Sequence, residues 1–386
     1  MGNEREGGCT GVKTIVEHLS HLIRIASVSS LCNRPMVDYA VSALYEFGWQ
    51  TKTMEYTDAA GVPKFNLIAA PGGTRVEDPG TDLAFVCHTD TVPYAADWLR
   101  ALDPFVADGQ LYGCGACDVK GFLACLLTAA GMSEGSRLRS GLRLLLTADE
   151  EVGCVGASHL LASGLVTPRR AVIGEPTSLR CARAGKGYCL AEITAFGQQA
   201  HSAHPEQGAS AIYGAARLIT AIEELADQLS GERDSFFTPG FTTLNVGTIQ
   251  GGTAKNVVAG QCSFLLEWRP LPGQPVDGVH QSILRTIEEL RQAHPEVSYE
   301  INLLRQQEGF ETDGDSPLVR SIEKLTGRAA TSIPFGSEAS LLSTVAEEVV
   351  VFGPGDMRTA HSNRECVPVA ELQQATECLR TMMSLP

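Results

Sequence analysis

Three short apolar runs constrain this 386-residue chain more than any other feature, because each one ends on a group able to bind a metal ion. Leu83-Ala-Phe-Val-Cys runs into His88, Leu142-Arg-Leu-Leu-Leu-Thr into Glu150 and Glu151, and Arg170-Ala-Val-Ile-Gly into Glu175. Runs of this length read as buried strands. Helical stretches at 120–132 and 155–163 separate them, so the pattern predicts a mainly parallel sheet covered on both faces. Ligands of such sheets gather beyond the carboxyl ends of the strands. Residues placed there by three separate strands converge for a topological reason, independent of any motif.

The rest of the first segment fits this frame. Residues 11 to 48 read as helix, loop, helix, closed by Gly48, and Phe65-Asn-Leu-Ile-Ala-Ala reads as a further strand. From about residue 181 the order becomes strand, helix, strand, strand, helix, strand, which predicts a ferredoxin-like α+β unit. Helix and strand texture resumes after 307 and carries His361. The expected organisation is an α/β domain that carries the candidate ligands, 1–180 and 307–386, interrupted by an inserted domain, 181–306.

At this length two domains are expected, and 44% hydrophobic content lets both fold. A net charge of −15 argues against nucleic acid or an anionic membrane as partner. The charged N-terminal segment lacks a signal-peptide core, and the longest apolar runs fall short of the roughly 20 residues that span a bilayer. A cytoplasmic protein is the expectation. Twelve cysteines scattered through a chain of this size are expected to be reduced. Cys114 and Cys117 form a lone C-x-x-C, open to structural-zinc or redox readings but without a second pair to complete a four-sulfur site.

The candidate site residues admit ordinary readings one at a time. His88 with Asp90 two residues on is an imidazole that a carboxylate could orient, or a plain turn. Asp118, in a glycine-rich stretch, is a carboxylate able to bridge two cations, or a helix cap. Of Glu150 and Glu151, one could bind metal while its neighbour serves as general base. Glu175 lies between Gly174 and Pro176, and His361 follows the loop from Gly353. Two histidines with three or four carboxylates suit a pair of zinc ions sharing a water, whereas one zinc would leave carboxylates surplus.

His-x-Asp, Gly-x-x-Asp-x-Lys-Gly, Glu-Glu after a strand, Gly-Glu-Pro and a late histidine together resemble the dinuclear zinc amidohydrolases of the aminoacylase and carboxypeptidase superfamily. The resemblance spans almost the whole chain. Within it, His88-Thr-Asp-Thr-Val-Pro93, Leu146-Thr-Ala-Asp-Glu-Glu151 and Ile173-Gly-Glu-Pro-Thr-Ser178 look most like the acetylornithine deacetylases, relatives of the succinyl-diaminopimelate desuccinylases. The resemblance implies a zinc-peptidase-like catalytic domain and a lid domain through which the chain forms a homodimer. It implies two zinc ions, with cobalt able to substitute. Asp118 would bridge them, His88 and Glu175 would complete one site, and Glu151 and His361 the other. Glu150 would be the general base, Asp90 would orient His88, and the Asp118–Val119 peptide would be cis. The stretch from Gly197 matches the family through His201, Ser202, Pro205 and Gly208, which implies that His201 serves the partner's active site. Asn256, Arg269, Gly336 and Ser337 would contact substrate.

The implied reaction is removal of the acetyl group from N2-acetylornithine in arginine biosynthesis. Other substrates of the same class, succinyl-diaminopimelate, acetylcitrulline, another N-acylamino acid or a dipeptide, stay open, as does a non-catalytic dimeric binding protein on this fold. One departure from the wider family stands at Gly113-Cys114-Gly115, where many members carry an arginine at the second position.

Overall fold

The computed structural model describes residues 13–384 apart from 79, 134–137 and 232. The charged N-terminal segment and the expected helix start at 11 lie outside the described residues. The chain divides into two compact units, one comprising Met1–Cys181, Asp313–Ala330 and Val345–Pro386, the other Ala182–Thr312 and Thr331–Thr344.

In the first unit, six strands lie in the order Gln50–Thr57, Pro63–Ala70, Leu142–Thr147, Gly80–His88, Thr167–Ile173, Glu348–Val351. The last four are mutually parallel, and the first two form an antiparallel hairpin at the edge. Every residue of Leu142–Thr147 is buried, as expected of a strand covered on both faces. The register sets His88 opposite Thr147 and Val86 opposite Ile173, so the three strands end on the same side of the sheet, within two residues of one another.

Gln50–Thr57 has no apolar run to announce it: Gln-Thr-Lys-Thr-Met-Glu-Tyr-Thr is an exposed edge strand, recognisable only from its pairing with Pro63–Ala70. Helix Lys120–Met132 is buried from Lys120 to Ala130, with apolar residues on every side, and helices Ile15–Arg24, Arg34–Glu46 and Val369–Met383 pack around it. Gly174 is required where Thr167–Ile173 ends, since a Cβ there would lie 2.0 Å from the Phe122 ring. A small three-stranded sheet pairs Cys366–Pro368 with Gln110–Tyr112, and the latter with Phe105–Ala107.

The second unit contains an antiparallel sheet in the order Thr243–Gly251, Gln261–Arg269, Tyr188–Phe196, Ser298–Gln307. Gln261–Arg269 alternates strictly between buried and less buried residues, so one face packs on helices Ala211–Leu229 and Gly278–Ala293 around Leu218, Phe264, Trp268 and Ile283. This is the ferredoxin-like α+β pattern, and Thr243–Gly251 is an edge strand. Thr331–Thr344 groups with this unit, whereas 181–306 was the expected extent; strand Thr331–Ile333 pairs in parallel with Ala182–Gly185, a link across about 150 residues that local texture does not reveal. Among the described residues no helix is long and apolar enough to cross a membrane.

Candidate metal centre

His88 is the last residue of its strand and 2% exposed. Its Nδ1 donates to the main-chain oxygen of Asp90 at 3.0 Å, which turns Nε2 towards the carboxylates. Nε2 lies 3.1 Å from Asp118 Oδ1 and 3.7 Å from Glu175 Oε1. On the other side of Asp118, His361 Nε2 lies 3.1 Å from Oδ2 and 3.3 Å from Glu151 Oε1. Asp118 thus turns one oxygen to each of two triads, His88–Asp118–Glu175 and Asp118–Glu151–His361, and the ligating atoms of each triad lie within 4.8 Å of one another. The Asp118–Val119 peptide is cis.

The electrostatics call for cations. Burial, and then the neighbouring charge of Asp118, push the Glu175 carboxyl well above its ordinary range, and the charges of Glu150 and Glu151 push the same way. Burial works against a charged His88, yet its hydrogen bonds to Asp118 and Asp90 and the nearby Glu175 hold its pKa well above the usual value. Hydrogen bonds to Asp118 and Glu151 raise His361 to about 10. Each imidazole is being asked to supply positive charge among clustered carboxylates. A nitrogen-and-oxygen donor set of this kind suits zinc and related divalent ions, so the residues fit the two-cation expectation.

Asp90 has a different reach from the one expected. Its carboxylate stands 3.6 Å from His88 Nδ1, while its closer partners are Ser29 Oγ at 2.7 Å and the amides of Glu150 at 3.1 Å and Glu151 at 3.3 Å. Asp90 therefore meets His88 through its carbonyl, with its carboxylate nearby, and accepts from the Glu150 and Glu151 amides through its side chain. Glu150 is buried, with Cys154 Sγ 3.4 Å from Oε1.

The residues expected to meet substrate all lie in the second unit. His201 is exposed, and its Nδ1 accepts from the Ala203 amide at 3.1 Å, so Nε2 carries the proton. Asn256 is exposed, and its carbonyl accepts from the Ser202 amide at 3.0 Å. Arg269 pairs with Glu267 at 2.7 Å and stacks over Tyr188. Gly336 and the buried Ser337 lie just before the helical turn Ala339–Leu342. Among the described residues no cysteine forms a disulfide, and burial raises the Cys114 thiol to about 11 and holds Cys117 well above its ordinary value, against a redox-active thiolate.

Several contributors escaped the sequence reading. Lys64, 1% exposed in the largely buried strand Pro63–Ala70, donates to Asp149 Oδ1 at 2.8 Å and to the carbonyls of Ser29 and Leu31. Tyr56 donates to the other Asp149 oxygen at 2.8 Å. Asp149 has φ of 57°, so this clamp supports the left-handed turn that leads into Glu150. A lysine leading directly into the run Phe65-Asn-Leu-Ile-Ala-Ala was the available signal. Lys64→Met should cost about 3–5 kcal/mol in urea denaturation, because it leaves the Asp149 carboxylate buried without its cation. Adding Asp149→Asn should recover part of that loss.

The chain is 44% identical over 355 residues to an acetylornithine deacetylase of Myxococcus xanthus, covering 92% of both chains. It is 32% identical over 380 residues to one of Proteus mirabilis, covering 95% of both. Among solved structures, a tripeptidase from Staphylococcus aureus superposes with a TM-score of 0.79 at 21% identity, covering 97% of this chain and 98% of that one, which is a likeness of fold. A model of Peptidase family M20/M25/M40 matches residues 84–384, and with relatives this similar along nearly their whole length the chain belongs to that family.

Proposed function

We propose that this chain is an amidohydrolase that cleaves the acetyl amide of N2-acetyl-L-ornithine to ornithine and acetate, a step of arginine biosynthesis. The observation that carries the substrate is the 44% identity to an acetylornithine deacetylase over 92% of both chains. Two triads meeting at Asp118 support the chemistry.

In this reading His88, Asp118 and Glu175 hold one zinc ion and Asp118, Glu151 and His361 a second, with cobalt able to replace either. Bound there, the pair would polarise the scissile carbonyl and lower the pKa of a shared water towards about 7. Glu150 takes the proton from the attacking water as the new C–O bond forms, then delivers it to the α-amine as the C–N bond breaks. Asp90 keeps the Glu150 and Glu151 amides in place through both steps. Arg269 and Asn256 hold the substrate carboxylate, and Gly336 and Ser337 contact the remainder of the substrate.

The reading includes a cytoplasmic homodimer built through the second unit as lid, with the first unit as catalytic domain. Support comes from the exposed side chains of Ile212, Tyr213 and Ile249, the last on the edge strand Thr243–Gly251. His201 then donates its Nε2–H to the oxyanion in the partner's site. His201→Ala should lower kcat about 10²–10³-fold with a smaller change in KM. Dimers mixed from His201→Ala and Glu150→Gln subunits should regain activity, since one of the two sites then has both groups intact; no recovery would place His201 in its own subunit's site or in none.

The function itself is tested by side-by-side turnover of acetylornithine, acetylcitrulline, succinyl-diaminopimelate and a dipeptide by the zinc-loaded protein. Acetylornithine should have the highest kcat/KM, and absence of ornithine release would sink the assignment.

A further inference from the structure

Glu365 is 3% exposed, and its carboxylate accepts three backbone N–H groups at 3.0 Å each: Gly115 to Oε2, and Cys117 and Asp118 to Oε1. Its own carbonyl accepts from the Gly113 amide at 3.2 Å. One residue therefore grips the loop 113–118 from both main chain and side chain. A buried carboxylate is costly unless fully hydrogen-bonded, and three converging amides form the kind of anion nest that offsets part of this cost, although burial still raises the carboxyl to about 7. The nearby Lys120 gives its Nζ to the Ile25 carbonyl at 2.9 Å.

Its location decides what the grip does. Glu365 follows His361 by four residues and directly precedes strand Cys366–Pro368, whose pairing of Cys366 with Tyr112 draws the His361 loop alongside the Asp118 loop. His361 is exposed and has φ of 56°, a backbone state that a histidine holds only with support from its surroundings. His88 and Glu175, by contrast, are buried at strand ends fixed by the sheet.

We propose that Glu365 is a positioning residue for the centre: by tying the Asp118 loop to the His361 loop, it sets the affinity of the Asp118–Glu151–His361 triad for its cation while leaving the His88–Asp118–Glu175 triad largely independent. The inference rests on the two-cation reading of the site. Glu365→Gln keeps the shape of the side chain but removes its charge, and turns an NH2 group towards at least one of the three amides, so a donor loses its acceptor.

The test is calorimetric titration of zinc chloride into the full-length protein stripped with a chelator. The parent should take up two equivalents; fewer than two would sink the two-cation reading beneath this inference. Glu365→Gln should bind one equivalent about 10–100-fold more weakly, the range for residues that orient metal ligands, with the other near its parent value. Two unchanged equivalents, or two weakened alike, would overturn the inference while leaving the site reading in place. If Glu365→Gln does not fold by circular dichroism, Glu365→Asp, which keeps the charge but falls short of the three amides, is read by the same titration against the same outcomes.

Discussion

Glu150→Gln should lower kcat by about 10²–10⁴-fold, the usual contribution of a positioned general base, while KM and zinc content stay near their parent values. Glutamine keeps the size of the side chain. The backbone around it is fixed by other groups: the Glu150 amide donates to Asp90, and its carbonyl accepts from the amides of Gly153 and Cys154. The substitution therefore removes proton transfer without moving Glu151, whose carboxylate faces His361. The division of labour between two adjacent glutamates is what the variant measures. Steady-state kinetics with metal analysis of the same sample checks it. A variant that kept a tenth or more of the parent kcat would move the base elsewhere, and one that lost zinc would make Glu150 a ligand.

The parts of the centre that were legible in the sequence are those fixed by local pattern. His88, Glu150 and Glu175 each follow an apolar run, and a buried strand announces itself by composition; once three runs belong to one parallel sheet, their ends must meet. Asp118 and His361 were candidates by residue type alone, and their places in the two triads came only through resemblance, since each stands in an irregular loop that a cap or a turn would equally explain. Lys64 and Glu365 were missed because their partners are remote, Asp149 lying 85 residues from Lys64 and Gly115 lying 250 from Glu365. A buried polar side chain reads as a surface residue until its partner is known. The same reasoning covers Gln50–Thr57, whose polar composition is that of any exposed segment and whose strand geometry comes from its neighbour.

Asp118→Ala should be the most damaging single change at the centre, because it is the one residue shared by both triads. Without it, His88 and Glu175 remain on one side and Glu151 and His361 on the other, two ligands apiece, which is too few for a stable zinc site. Zinc titration should therefore show both equivalents lost, and turnover should fall by more than the about 10–100-fold typical of residues that merely orient ligands. His88→Ala gives the contrast. It leaves Asp118, Glu151 and His361 together, so one equivalent should survive while activity nearly vanishes. The pair separates a bridged centre from two cations bound side by side: in the second arrangement Asp118→Ala would cost one equivalent, as His88→Ala does. Circular dichroism should show both variants folded, since the sheet that carries the surviving ligands is held by the apolar contacts of Phe85, Leu144 and Val172 rather than by the metals.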